Sequence, residues 1–134
     1  MIDTGPLVAL LDRRDHQHAW VKQQLAKIPA PLHTCEAVLT EACFLSRNLA
    51  GGQQAVMGLL QRGFLSLSFS LGEEASAIQS LLLRYADVPM SLADACLVRM
   101  MELESGILLT LDSDFQIYRM KGRAVIPVLI PENG

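Results

Sequence analysis

The sequence has few of the features that mark secreted, membrane-bound or zinc-binding proteins. Its three cysteines, Cys35, Cys43 and Cys96, are widely spaced and form no Cys-x-x-Cys pair, which argues against a disulfide framework and a zinc knuckle. No apolar run approaches the roughly 20 residues needed to cross a bilayer. Residues 1–3, Met-Ile-Asp, lack the basic and apolar regions of a signal peptide. We therefore expect a cytoplasmic protein with no membrane association.

Signatures of several common enzyme classes are also missing. The chain has no glycine-rich phosphate loop, and no serine or cysteine lies in the context of a hydrolase nucleophile. Its net charge of −3 does not fit a basic protein that wraps nucleic acid. Basic residues near the two ends are nevertheless candidates for phosphate contacts, although such a cluster is more often a solvated face. These candidates are Arg13, Arg14, Arg119, Lys121 and Arg123.

The composition is that of a folded globular protein. The chain has 134 residues, of which 51% are hydrophobic and 19% charged, so it is too apolar for a disordered chain. It has no internal repeat, linker or low-complexity tract. We expect a single domain over residues 1–134.

Apolar runs alternate with segments of helical periodicity along the chain. Residues 1–2 would form a very short first strand. Further strands are predicted at residues 32–35, 64–69, 107–111 and 125–129, and helices at residues 7–11, 16–28, 36–49, 53–61, 72–85 and 92–103. This alternation predicts a three-layer α/β/α sandwich with a mostly parallel sheet of about four to five strands.

Two aspartates follow predicted strands directly. The apolar run at residues 107–111, which is typical of a buried strand, ends at Asp112, and the short strand at residues 1–2 ends at Asp3. Ligands of open α/β sheets bind at the carboxyl ends of the strands. Each aspartate could instead cap the turn that follows it, and Asp114 is such a cap or its neighbour.

Two more acids lie on apolar stretches of predicted helices. Glu41 is three residues after Val38 and four before Leu45, which places it on the apolar face of its helix. Asp94 has apolar neighbours on every side and stands three residues after Ser91, in the position of a capping box. A buried carboxylate is costly unless a cation or hydrogen bonds meet it.

These four acids can meet at one edge of the sheet. Four carboxylates that lie close together repel, which raises their pKa values and resists joint ionisation. A divalent cation would remove this conflict, and a set of oxygen ligands favours Mg²⁺ or Mn²⁺ over zinc or copper.

The sequence resembles the PIN domain family, the small metal-dependent ribonucleases that include the VapC-like toxins. The resemblance spans nearly the whole chain, in the order of the family's motifs. Its pieces are residues 2–7 (Ile-Asp-Thr-Gly-Pro-Leu), 39–42 (Leu-Thr-Glu-Ala), 92–95 (Leu-Ala-Asp-Ala) and 109–115 (Leu-Thr-Leu-Asp-Ser-Asp-Phe). The clipped first strand departs from the family's pattern.

The resemblance implies hydrolysis of phosphodiester bonds in RNA with one or two Mg²⁺ or Mn²⁺ ions. It assigns the family's acidic quartet to Asp3, Glu41, Asp94 and Asp112. Asp114 would be an accessory ligand, and Thr4 and Thr110 match the hydroxyl positions beside the acids. It also implies a homodimer and, in toxin members, a small antitoxin that covers the site.

Two alternatives stay open at this point. The chain could be a non-catalytic module of the same fold that binds RNA or protein, although none of the four acids is missing. It could also be a different Mg²⁺-dependent α/β protein such as a receiver domain, which needs a lysine after a late strand. Here the last predicted strand is followed by Pro131 instead.

Overall fold

The start of the chain lies in the middle of a parallel sheet. The computed structural model describes residues 1–132. Its strands are β1 (Leu32–Thr34), β2 (Leu65–Leu67), β3 (Leu108–Leu109), β4 (Arg119–Met120), β5 (Ala124–Val125) and β6 (Val128–Leu129). β1 pairs in parallel with β2, and β3 pairs in parallel with β6.

Ile2 joins these two pairs into one sheet. Its N–H donates to the carbonyl of His33 at 3.0 Å, and it forms a parallel bridge with Leu109. The order across the sheet is therefore β2, β1, Ile2, β3, β6. This confirms the predicted parallel sheet of four to five strands, and it shows that the first strand is reduced to a single bridging residue.

Within residues 1–132, six helices connect and cover the strands in a three-layer α/β/α arrangement. They are α1 (Thr4–Leu11), α2 (His18–Leu25), α3 (Glu36–Leu45), α4 (Gly52–Gln61), α5 (Ala75–Arg84) and α6 (Leu92–Leu103), and a 3-10 turn spans Ser113–Gln116. α1 packs against α2 and α3, while α6 packs against α3 and α5. Ile2, Leu108, Leu109 and Leu97 are fully buried where α6 meets the sheet strands in one core.

Several helices are shorter than the sequence predicts, because local side-chain hydrogen bonds replace their end turns. α2 begins at His18 because Asp15 accepts the N–H of Gln17 in a turn. α3 ends at Leu45 because the Ser46 hydroxyl donates to the carbonyl of Ala42. Serine and aspartate side chains compete with helical hydrogen bonds in this way.

The last predicted strand, residues 125–129, is wrong as a single element. Ala124–Val125 pairs antiparallel with Arg119–Met120, whereas Val128–Leu129 pairs in parallel with β3. Pro127 lies between them and has no N–H to donate, so a continuous ladder is interrupted there. The turn of the small hairpin contains Lys121 and Gly122, both with positive φ.

The three cysteines form no disulfide. Cys35 and Cys96 are buried, Cys43 is half-buried, and all three are free thiols. Among the described residues, no helix combines the length and the apolar character that crossing a membrane requires.

Candidate active site

Asp3 and Asp112 are linked through one hydroxyl group at the carboxyl end of the sheet. The Thr110 hydroxyl donates to Asp3 Oδ2 at 2.7 Å and accepts the N–H of Asp112 at 3.0 Å. Thr110 is fully buried and Asp3 is only 5% exposed. Both aspartates also act as caps: Asp3 Oδ1 accepts the N–H of Thr4 at 2.7 Å, and Asp112 Oδ1 accepts that of Asp114 at 2.9 Å.

Glu41 reaches the same region from α3. The hydroxyl of Thr4, in the first turn of α1, donates to Glu41 Oε1 at 2.8 Å. Glu41 is half-buried, and the neighbouring Leu45 is 56% exposed. The apolar face expected around Glu41 is therefore buried at Val38 and open to solvent at Leu45.

Asp94 lies in the first turn of α6 and is buried. The N–H of Asp94 donates to the Ser91 hydroxyl at 3.0 Å, and Asp94 Oδ2 accepts the N–H of Ser91 at 3.2 Å. These two bonds form the predicted capping box. Besides capping α6, the Asp94 carboxylate also lines a cleft.

That cleft has a volume of about 430 Å³ and gathers all four predicted acids. Its walls come from the ends of two strands and from three helices. The lining residues are Asp3, Thr4, Gly5, Glu41, Leu45, Asp94, Leu111, Asp112 and Ser113. The structure thus brings together acids that are up to 109 positions apart in the sequence (112 − 3).

The pKa values of two of the carboxylates are raised by burial and by their acidic neighbours. Burial raises the pKa of Asp3 from 3.8 to about 6, and the negative charges of Asp94 and Asp112 add to this rise, against the hydrogen bonds from Thr110 and Thr4. Burial likewise raises the pKa of Asp94, with a further contribution from the charge of Asp112. The cleft is therefore a place where added positive charge is stabilising.

The donor set fits a hard divalent cation. All four acids supply oxygen, the ligand that Mg²⁺ and Mn²⁺ prefer. Within residues 1–132, no three acidic, histidine or cysteine side chains stand close enough to form a ready-made cage for a metal. Mg²⁺ keeps several waters and is commonly held by one or two carboxylates, so an open acidic cleft of this kind suits it.

Comparison with known protein families shows to which family the chain belongs. The model of the PIN domain matches residues 1–121. The chain belongs to the PIN domain family. Among solved structures, this PIN domain is similar to VapC20 from Mycobacterium tuberculosis, described as a sarcin-ricin loop cleaving toxin. The TM-score is 0.73 at 21% sequence identity, over 94% of this chain and 98% of that one, which confirms the predicted fold. No curated protein matches the sequence.

Besides the acids, the predicted Thr4 lines the cleft and the predicted Thr110 bonds Asp3, whereas the remaining predicted site residues of this PIN domain lie outside the cleft. Asp114 donates its N–H to Asp112, but its side chain does not line the cleft. The guanidinium of Arg119 donates to the carbonyls of Gln116, Ile117 and Tyr118, so it closes the turn before β4. The remaining basic candidates are exposed: Arg13, Arg14, Lys121 and Arg123.

Sequence reasoning missed one residue that touches the acids. Tyr118 is fully buried and its hydroxyl donates to Asp94 Oδ2 at 3.1 Å. It follows the acidic turn at Asp112 by six positions and precedes the hairpin that was not predicted. A tyrosine buried at a strand edge usually finds a partner for its hydroxyl, and this was the only signal available.

Proposed function

We propose that this PIN domain is a metal-dependent endoribonuclease that hydrolyses phosphodiester bonds of single-stranded RNA and serves as the toxin of a type II toxin–antitoxin pair. The observation that carries the proposal is the gathering of Asp3, Glu41, Asp94 and Asp112 in one cleft. Capping explains single acids but not their gathering, because each carboxylate in such a space raises the cost of ionising its neighbours.

The roles of the side chains follow from their contacts. Asp3, Glu41, Asp94 and Asp112 would hold Mg²⁺ or Mn²⁺, and the hydroxyls of Thr4 and Thr110 fix the orientation of Glu41 and Asp3. A bound divalent cation supplies a water of lowered pKa and positive charge for a phosphate oxygen. Leu45 and Leu111 provide apolar walls to the cleft, which stays open to solvent at Leu45.

The substrate class and the partners come from the family. VapC20 is described as cleaving the sarcin-ricin loop, and for this chain we propose only that RNA is the substrate. Exposed Arg13, Arg14, Lys121 and Arg123 would contact phosphates and so position the RNA without reading its sequence. We further propose that the protein works as a cytoplasmic homodimer and that a small antitoxin protein covers the cleft.

The direct test is cleavage of single-stranded RNA by the purified protein. We expect cleavage with Mn²⁺ or Mg²⁺ and none with EDTA. Asp94→Asn should lower the rate by at least about 100-fold, in line with the effects of removing groups that stabilise a reaction's charges. Cleavage by Asp94→Asn at the wild-type rate would contradict the site assignment.

The chain offers a matched control on a single helix. Glu41 lines the cleft, whereas Glu36 is exposed in the first turn of the same helix and lies outside it. Glu41→Gln should lose activity and Glu36→Gln should keep it. Wild-type protein that binds RNA but leaves it intact in every divalent cation would identify the non-catalytic module instead.

A further inference from the structure

Asp94 receives a hydrogen bond that its helix does not explain. The bonds to Ser91 are those of a capping box and are local to α6. The bond from the Tyr118 hydroxyl, at 3.1 Å, comes from 24 residues further along the chain. Both Ser91 N–H and Tyr118 O–H reach the same oxygen, Oδ2, and among the described residues no hydrogen bond reaches Oδ1.

The Tyr118 ring is held firmly in place. Phe115 packs against it edge-to-face, with ring centroids 5.3 Å apart and planes at 90°. Tyr85, which follows the last residue of α5, packs on it with ring centroids 5.1 Å apart and planes at 65°. Because the Tyr118 ring packs against both Phe115 and Tyr85, its hydroxyl has a defined position before any ligand binds. The side chain therefore loses little conformational entropy when a ligand binds.

The Tyr118 hydroxyl is directed at Asp94 Oδ2, to which it donates at 3.1 Å. A donor to the charged form of a carboxylate favours that charged form.

We propose that Tyr118 is a positioning residue, which fixes Asp94 by its Oδ2 atom so that Oδ1 is presented to a divalent cation in the cleft. This inference rests on the proposed function. It assigns a role to a residue that contacts a cleft-lining carboxylate without lining the cleft itself. Partners that orient a metal ligand in this way commonly contribute 10–100-fold to metal affinity or activity.

The test is Tyr118→Phe, which removes one oxygen and leaves the aromatic ring. We expect the dissociation constant for Mn²⁺, measured by titration calorimetry on protein without RNA, to increase by about tenfold or more. The Mn²⁺ concentration that gives half the maximal rate of RNA cleavage should increase in parallel. A purely structural hydroxyl would lower the melting temperature and leave both values unchanged.

Tyr85→Phe is the matched control. It deletes the other hydroxyl of the same aromatic group, which accepts the N–H of Arg119 at 2.9 Å and, within the described residues, forms no hydrogen bond with an acid. Its ring still packs on Tyr118, so we expect its Mn²⁺ dissociation constant to stay within twofold of wild type. An unchanged constant in Tyr118→Phe, or an equal increase in both variants, would overturn the positioning role while the proposed function stands. If wild-type protein neither binds Mn²⁺ nor cleaves RNA, the proposed function fails, and the positioning role fails with it.

Discussion

Asp3 is nearly excluded from solvent, and the folded protein favours its protonated form. Its pKa is about 6 in the fold and 3.8 when exposed, so the folded state binds this proton more tightly than the unfolded chain does. The stabilisation that the bound proton provides is fully present below pH 4 and is lost as the pH rises through 6. At neutral pH the ionised Asp3 therefore destabilises the fold.

Because ionised Asp3 destabilises the fold at neutral pH, a neutral residue at this position should stabilise it. Asp3→Asn removes the charge and keeps a side-chain oxygen that can cap α1. We expect it to stabilise the protein at pH 7 by about 1–3 kcal/mol, from roughly 1.4 kcal/mol for each pKa unit, while it abolishes RNA cleavage. Urea denaturation at pH 7 and at pH 4 checks this, because most of the difference should disappear at pH 4. A variant that is less stable than wild type at pH 7 would contradict the argument.

The sequence could predict the four acids, because each has a local anomaly. Asp3 and Asp112 interrupt apolar strands, and Glu41 and Asp94 interrupt apolar helix faces. Their metal-binding roles stay a prediction. Tyr118 could not be found in this way, since its contact with Asp94 depends on how the chain turns between the 3-10 helix and β4.

At the scale of elements, the types of most helices and strands follow from hydrophobic periodicity, and their ends do not. The ends depend on single hydrogen bonds, such as that from Ser46 to Ala42. The hairpin of β4 and β5 was missed because its two strands have only two residues each. Short strands of this kind carry too few alternating residues to show a period.

The start of α4 gives a prediction on packing. A Cβ atom at Gly52 would lie far inside contact distance of the carbonyl oxygen of Ser46, whereas a Cβ at Gly58 would meet only the flexible end of Arg62 at 3.7 Å. Gly52→Ala should therefore destabilise the fold by about 1–3 kcal/mol, as overpacking does. Gly58→Ala, inside the same helix, should stabilise it by about 0.5–1 kcal/mol. Thermal unfolding of the two variants should show shifts of opposite sign, and shifts of the same sign would contradict the packing argument.

At the scale of the whole molecule, the net charge of −3 includes a cluster of acids that repel one another in the cleft. A divalent cation that binds only the folded state should stabilise it. The expected gain is about 2.7 kcal/mol when the free cation is at 100 times its dissociation constant. The gain should be smaller at pH 5 than at pH 7.5, because protons compete for Asp3.

Differential scanning fluorimetry with Mn²⁺ and after EDTA treatment measures this effect. Asp112→Asn should lose most of the Mn²⁺-induced shift in melting temperature, and Glu36→Gln should retain it. Of these two residues, Asp112 lines the cleft and Glu36 does not. A shift of equal size at pH 5 and pH 7.5 would show that the cation binds elsewhere.

The hydrogen bond from Thr110 to Asp3 joins residues 107 positions apart, and this separation governs when the cleft can exist. During synthesis, Ile2 and Asp3 are made long before Leu109, their neighbour on one side of the sheet. A contact of such long range forms slowly, because a large loop must close before it forms. A partly made chain that lacks residues 108–112 therefore cannot assemble the acid cleft, and any activity that depends on the four acids can appear only after this late segment has been made.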